Sequence, residues 1–237
     1  MDSMDFDFSP YFKKYEELVA AAEEAFNRVK NDHPDCVKCG VGCADCCHAL
    51  FDLTLIEALY INQKFKAAYQ GDARESLLER ANRSDRKVYK IKKKAHTLLK
   101  EGCSDEEILE RIAAETVRCA LLNDKDLCDL YESRPITCRL YGVPTAIGGK
   151  GHTCGLSGFS QGETYPTANL DRIQSALMAL SNALVADLKS KYKTMGEMLV
   201  PLSMALLTEY DEAYLGVKGA EGDSDATELQ ETKKRTI

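Results

Sequence analysis

Cysteine is the residue type in this sequence with the most chemistry to offer, and it is clustered. Cys36, Cys39, Cys43, Cys46 and Cys47 fall within twelve consecutive positions and contain two Cys-x-x-Cys pairs, 36/39 and 43/46. Two intervening residues let neighbouring thiolates point to a common centre, which is why zinc and iron–sulfur sites share this spacing. On a helix, positions 39, 43, 46 and 47 would share one face. Gly40 and Gly42 predict instead a loop leading into a helix, with backbone amides able to donate to thiolate or sulfide. A second group, Cys119, Cys128, Cys138 and Cys154, lies in a stretch rich in glycine and proline that shows no helical or strand periodicity from Cys119 to Pro166. A structureless loop of that length is uncommon inside a compact domain, and a bound metal would order it.

Four thiolates leave a net double negative charge around one zinc ion, and the same around an oxidised four-iron cluster. Nine cysteines besides Cys103 exceed one tetrahedral zinc site. The leading reading is therefore an iron–sulfur cluster of the four-iron type, held by Cys36, Cys39, Cys43, Cys46, Cys47, Cys119, Cys128, Cys138 and Cys154. Its role would be redox, electron transfer or sensing, with a redox partner protein. Arg134 and Arg139 are the candidate cofactor-binding cations, able to offset the charge and hydrogen-bond the sulfurs. The alternative is a structural zinc-binding scaffold, and a third reading is a metal-dependent oxidoreductase or methyltransferase. Against an enzyme, Gly148-Gly-Lys-Gly151 lacks the rest of a nucleotide-binding fingerprint. A thioredoxin-like pair would need a βαβ setting that is absent here. Cys103 reads as a core thiol, and His33, His48 and His152 as neighbours of cysteines rather than ligands.

The elements that must hold these residues are helical. The chain has 237 residues, 44% apolar and 29% charged, with a net charge of −7. It has no apolar run long enough to span a membrane, and its acidic start, Met1-Asp2-Ser3-Met4-Asp5, has no basic segment of the secretory kind. The expected location is the cytoplasm, where thiols stay reduced. Ser9-Pro10 predicts a capped helix running to about Asn31. Thr54 with Glu57 forms a capping box for a helix through Phe65, broken at Gly71-Asp72. The segment 74–100 carries ten basic residues against three acidic ones and reads as one or two helices stopped by Gly102. Its basic face is solvated or faces an acidic partner; with Tyr89 as its only aromatic residue and the whole chain acidic, it does not suit nucleic acid. Ser104 and Glu107 form a second capping box, and a short hairpin is expected near 136–147. Thr167 or Asn169 caps a long helix to about Tyr192, and a last helix follows Pro201 through Tyr214. The reading is an all-α, irregular helical domain over 9–215 with a metal-ordered cysteine region at 36–154, a short tail at 1–8 and a disordered tail at 216–237.

The run Cys39-Gly-Val-Gly-Cys43-Ala-Asp-Cys46-Cys47, followed by Thr54-Leu-Ile-Glu57, resembles the start of the YkgJ-like cysteine-cluster family, which is described as a zinc- or iron-chelating domain. Arg118-Cys119 and then Leu127-Cys128-Asp-Leu-Tyr131-Glu-Ser-Arg134-Pro135-Ile-Thr-Cys138-Arg139 is similar to the family's second cysteine segment, and Cys154 suits its trailing cysteine. The resemblance covers roughly Cys36 to Cys154 and implies a metal site built from both halves. This chain departs from the pattern where glycine-rich insertions spread the first motif and add cysteines. A flagellin lysine methylase group is distantly similar in its cysteines.

Overall fold

In the computed structural model, residues 6–217 are described apart from 105, 106, 109, 110, 113, 114 and 161. Seven α-helices are present among the described residues: α1 Ser9–Asp32, α2 Leu55–Ala68, α3 Gly71–Lys100, α4 Ile136–Leu140, α5 Leu170–Asp187, α6 Leu202–Leu207 and α7 Glu212–Leu215. Short strands accompany them, β1 Asp52–Thr54, β2 Thr145–Ile147, β3 Lys150–His152, β4 Ala168–Asn169 and β5 Leu199–Pro201. The fold is thus mainly helical rather than all-α. β1 pairs antiparallel with β5, with Leu53 opposite Val200, and β2 lies between β3 and β4.

Helix α2 is the axis of the molecule. Its first two turns are apolar nearly all round and buried at every position from Leu55 to Asn62, as a helix segment of that kind must be. Gln63, Lys64 and Lys66 turn its second half toward the surface. One side packs against α1, α4 and α5 through Ile56, Leu59 and Tyr60, with Tyr15, Leu140 and Leu184 among their partners. The other side gives Ala58, Ile61 and Phe65 to a second core with Leu53 of β1, α3, α6 and the segment around Leu121. Two polar side chains that enter this interior are satisfied, whereas the buried Tyr210 hydroxyl has no partner among the described residues. Ser181, an interruption in the longest apolar run, accepts from the Ile56 amide at 3.1 Å, and Asn62 donates to the carbonyls of Ala205 and Thr208 at the end of α6. The expected capping box is formed, and its Glu57 is only 4% exposed. Burial raises the Glu57 carboxyl above its ordinary range.

Helix α1 matches its expected span, but Phe8 is its first flanking residue and Asp7 accepts from the Ser9 amide at 2.9 Å, so no serine cap forms. The basic segment is one continuous helix, and Gly71, with φ +52°, makes the turn that separates it from α2. Asn169 is the observed cap of α5, accepting from the Arg172 amide at 2.9 Å. The hairpin is β2–β3, shifted C-terminal to the expected position because 136–140 is helical. The final helix is broken at Thr208 into α6 and α7. Ser104 and Glu107 exchange capping-box bonds; much of the helix expected beyond them, and the tail from 218, lie outside the described residues. No described helix is long and apolar enough to cross a membrane.

Candidate metal centre

The first cysteine group does not continue as an α-helix. Cys43 follows Gly42, which has φ +86°, and Asp45–Cys47 form one 3₁₀ turn. The chain then lies beside the second group: the Cys119 amide donates to the Cys47 carbonyl at 2.7 Å, and the Val117 amide to the His48 carbonyl at 3.2 Å. Cys119 and Cys128 flank a tight excursion closed by the Leu122–Cys128 bridge. Asn123 organises that turn, its side-chain oxygen accepting from the amides of Lys125 and Leu127. Arg80 of α3 clamps the base of the turn through Asp129 and the Leu122 carbonyl. Cys138 sits on α4, whose first amide, at Ile136, donates to Glu57 at 3.3 Å. One buried carboxylate therefore caps two helices, α2 and the turn of helix that presents Cys138.

These segments enclose a cavity of about 310 Å³. Cys47, Cys119, Cys128 and Cys138 line it, while Cys39, Cys43 and Cys46 form a wall shared with a smaller cleft. The far side of the chamber is apolar, with Phe51, Val88, Val117 and Leu202. The cleft, of about 10 Å³, adds Cys154 and Tyr141 to the shared thiols, and Cys154 lies 3.2 Å from Asp45 Oδ2. Cys36 lines neither space; its carbonyl accepts from the Gly158 amide at 2.8 Å, tying the first group to the loop after Cys154. Eight of the nine expected cysteines thus converge, and Cys36 stands beside them. Among the described residues no group of three or more His, Cys, Asp or Glu side chains is arranged to hold a metal ion.

A local device absent from the sequence reading recurs at three of these thiols. The amide two residues downstream points at the sulfur in each case: Leu121 at Cys119, Leu130 at Cys128 and Leu156 at Cys154. Such N–H donors favour thiolate over thiol. Without a cation, burial wins. It pushes the Cys119 thiol up to about 12 and raises Cys128, and it carries Cys39 to about 11 with help from Cys43 and Cys46. Cys46 is the exception: it accepts from the thiols of Cys138 and Cys47, so its own ionisation is favoured and theirs opposed.

The two arginines part company. Arg134 lines the chamber with its guanidinium 3.6 Å from the Tyr131 ring centroid, and its charge favours ionised Cys46 and Cys128. Its buried Nε–H has no acceptor. Arg139, 7% exposed, points away: it donates to Glu23 of α1 and to the carbonyls of Arg134 and Glu132. All three of its nitrogens are thus committed to α1 and to the loop that presents Arg134. Arg118 is likewise spent on Asn123 and Asp126. Of the histidines near the cysteines, His48 faces the Ala44 carbonyl at 3.1 Å, and His33 packs edge-on against Tyr165.

A family model, CxxCxxCC, with the description "Putative zinc- or iron-chelating domain", matches residues 35–155, just over half of the chain. No curated protein and no solved structure matches it.

Proposed function

The chain belongs to the CxxCxxCC family of zinc- or iron-chelating domains, and from that premise we propose that its chamber holds an iron–sulfur cluster serving redox or sensing chemistry. The observation that carries this reading is the orphaned Arg134 Nε–H among thiols that line one chamber. A buried donor without an acceptor is costly, and sulfide or thiolate sulfur would satisfy it. The donor set fits as well: soft thiolates suit iron–sulfur clusters, and more of them line the chamber than one tetrahedral zinc ion takes.

Cys47, Cys119, Cys128 and Cys138, with Cys46 between Cys47 and Cys138, are the residues that would hold the group. When bound, it would supply reversible one-electron chemistry. The protein's part is to hold four thiolates, direct amides at Cys119 and Cys128, place the Arg134 charge beside them, and keep water away with Phe51, Val88, Val117 and Leu202. Helix α3 links this interior to the surface. Ser84 and Val88 on its inner side line the chamber, while Arg86, Lys87, Lys90 and Lys93 are exposed on its outer side. We assign that outer face to an acidic redox partner, which would dock about one helix diameter, ~10 Å, from the thiols.

The test is anaerobic purification followed by analysis for iron, zinc and acid-labile sulfide. Iron with matching sulfide and a brown colour is expected. Zinc without sulfide would replace this reading with a structural zinc scaffold.

A further inference from the structure

The thiols border only part of the chamber, and the rest of its lining has nothing to offer a metal. Val88 and Val117, 7% and 5% exposed, form a small core with Leu50 packed against it, while Phe51 and Leu202 pack on the second core. Both cores end at the chamber, so its far wall is hydrocarbon. The hydroxyls set into that side are spent: Ser84 donates to the Arg118 carbonyl at 3.2 Å, and Ser203 to Asp85 at 3.1 Å. Asp126, a carboxylate on the lining, is paired with Arg118.

We propose that this part of the chamber is a binding site for a small, uncharged, apolar organic molecule about one ring in size, lying against the group that the thiols hold. The proposal deepens the cluster reading by naming what the chamber would sense or act on, and it rests on that reading for this point alone.

Volume sets the size. An apolar cavity of ~150 Å³ takes up a benzene molecule. The chamber, at about 310 Å³, has room for such a molecule beside a group bound through sulfur, which stays against the thiols. Small-molecule pockets begin at ~300 Å³ and are lined as this one is, by apolar side chains with few polar groups. The lining sets the chemistry. A ligand carrying a charge would lose its water at the far wall and find no free partner there. A carboxylate would also meet the negative charge of the thiolates. An uncharged hydrocarbon body has neither penalty and gains by leaving water.

Access is built in. Val41, Leu127 and Tyr131 line the chamber and are also exposed, Val41 by 93%. Val41 stands between Gly40 and Gly42. Among the described residues, nothing beyond their chain neighbours lies within 4 Å of a β-carbon placed on either glycine. The chamber thus opens to the surface through an apolar rim with free space on one side. Such an entrance suits an incoming apolar molecule and has no part in retaining a metal.

The experiment is a calorimetric titration of full-length protein, purified without oxygen, with benzene and with benzoate. Benzene should bind saturably at one equivalent per chain, and benzoate at least about tenfold more weakly, because its carboxylate has no partner. Leu50→Trp, which fills the far wall, should abolish benzene binding while iron and sulfide stay at the wild-type level. Val88→Thr keeps the volume but adds a hydroxyl to the wall, and should weaken benzene binding about tenfold. It decides the matter alone should the tryptophan variant not fold. Absence of saturable benzene binding, benzoate binding as tight as benzene, or wild-type affinity in the folded variants would overturn the site. Iron and sulfide analysis of the same sample judges the cluster separately: zinc without sulfide defeats that reading, and the benzene titration still decides the apolar site.

Discussion

The chamber and the cleft hold the same side chain by different means. Chamber cysteines are fixed from the helical body: Cys138 rides on a helix capped by buried Glu57, and Cys119 and Cys128 on a turn clamped by Arg80. The cleft is fixed by loop against loop, where Gly142 admits Cys39 and Gly158 meets the Cys36 carbonyl. The chamber's thiols are therefore positioned by folding itself, whereas those of the cleft depend on close contacts within irregular chain. A metal bound in the chamber would therefore have little ordering left to do there.

The largest expected effect breaks the chamber at its deepest ligand. Cys138→Ser should abolish retention of iron and sulfide and loosen the segment around Cys119–Cys128, read as faster amide exchange there. Unchanged metal content would remove Cys138 from the ligand set. Next comes Glu57→Gln, which keeps the side chain's shape but leaves one side-chain oxygen to accept from Thr54 and Ile136. A loss of about 1–3 kcal/mol in unfolding free energy is expected, the cost of an unsatisfied buried donor. Metal retention in the chamber should fall with it. Wild-type stability and metal content in this variant would mean that Glu57 does not support the chamber.

Acidity offers a third contrast. Burial raises the Cys119 thiol to about 12 and the Cys39 thiol to about 11 in the metal-free protein, against an unfolded value of about 9. A folded value above the unfolded one means the native state holds more protons between them, so stability falls as pH rises through that window. The reduced, metal-free protein should keep this contribution below pH 9 and lose it progressively toward 11 and 12. Bound metal, by holding the thiols ionised, should remove that slope. Urea unfolding at several pH values, with and without metal, measures it.

Much of this arrangement is legible in the sequence because it is carried by strong local signals. The capping box at Thr54–Glu57, the Asn169 cap and the two cysteine groups each depend on residues a few positions apart. What the sequence hides is long-range or conformational. Glu57 announces the start of α2, yet nothing near it says that its second oxygen will receive the amide of Ile136, 79 positions away. The Arg-Pro-x-x-Cys-Arg motif marks both arginines as neighbours of Cys138, but the helical turn of α4 sends them to opposite sides. Gly142 reads as one more loop glycine, and its contact with Cys39 exists only once the two halves have met. The amides aimed at Cys119, Cys128 and Cys154 could be sought as a cysteine followed two residues later by an aliphatic residue in a turn, but the aim itself is a backbone property.

Gly142→Ala sharpens the comparison from the cleft side without deleting a ligand. A β-carbon at 142 must displace Cys39 or the chain beside it, so thermal stability should fall while amide protection around Cys119–Cys128 stays near wild type. Equal loss of protection in both regions would show that they are not separately supported.

The smallest expected effect separates the two arginines. Arg134 faces the chamber with a free Nε–H, whereas Arg139 spends its donors on Glu23 and two carbonyls. Lysine at 134 preserves a positive charge but removes the planar fork and the Nε donor. The cluster should remain bound with a more negative reduction potential, since one hydrogen bond that favours the electron-rich state is lost. Lysine at 139 should act in the opposite sense: it should lower thermal stability, because a buried guanidinium network is cut, and leave the potential near wild type as long as the loop holds Arg134 in place. Potentiometric titration and thermal unfolding of the two variants form a cross-over test. If Arg139→Lys moves the potential as far as Arg134→Lys does, charge near the thiols matters and the Arg134 hydrogen bond does not; if neither moves it, the orphaned donor is no measure of what the chamber binds.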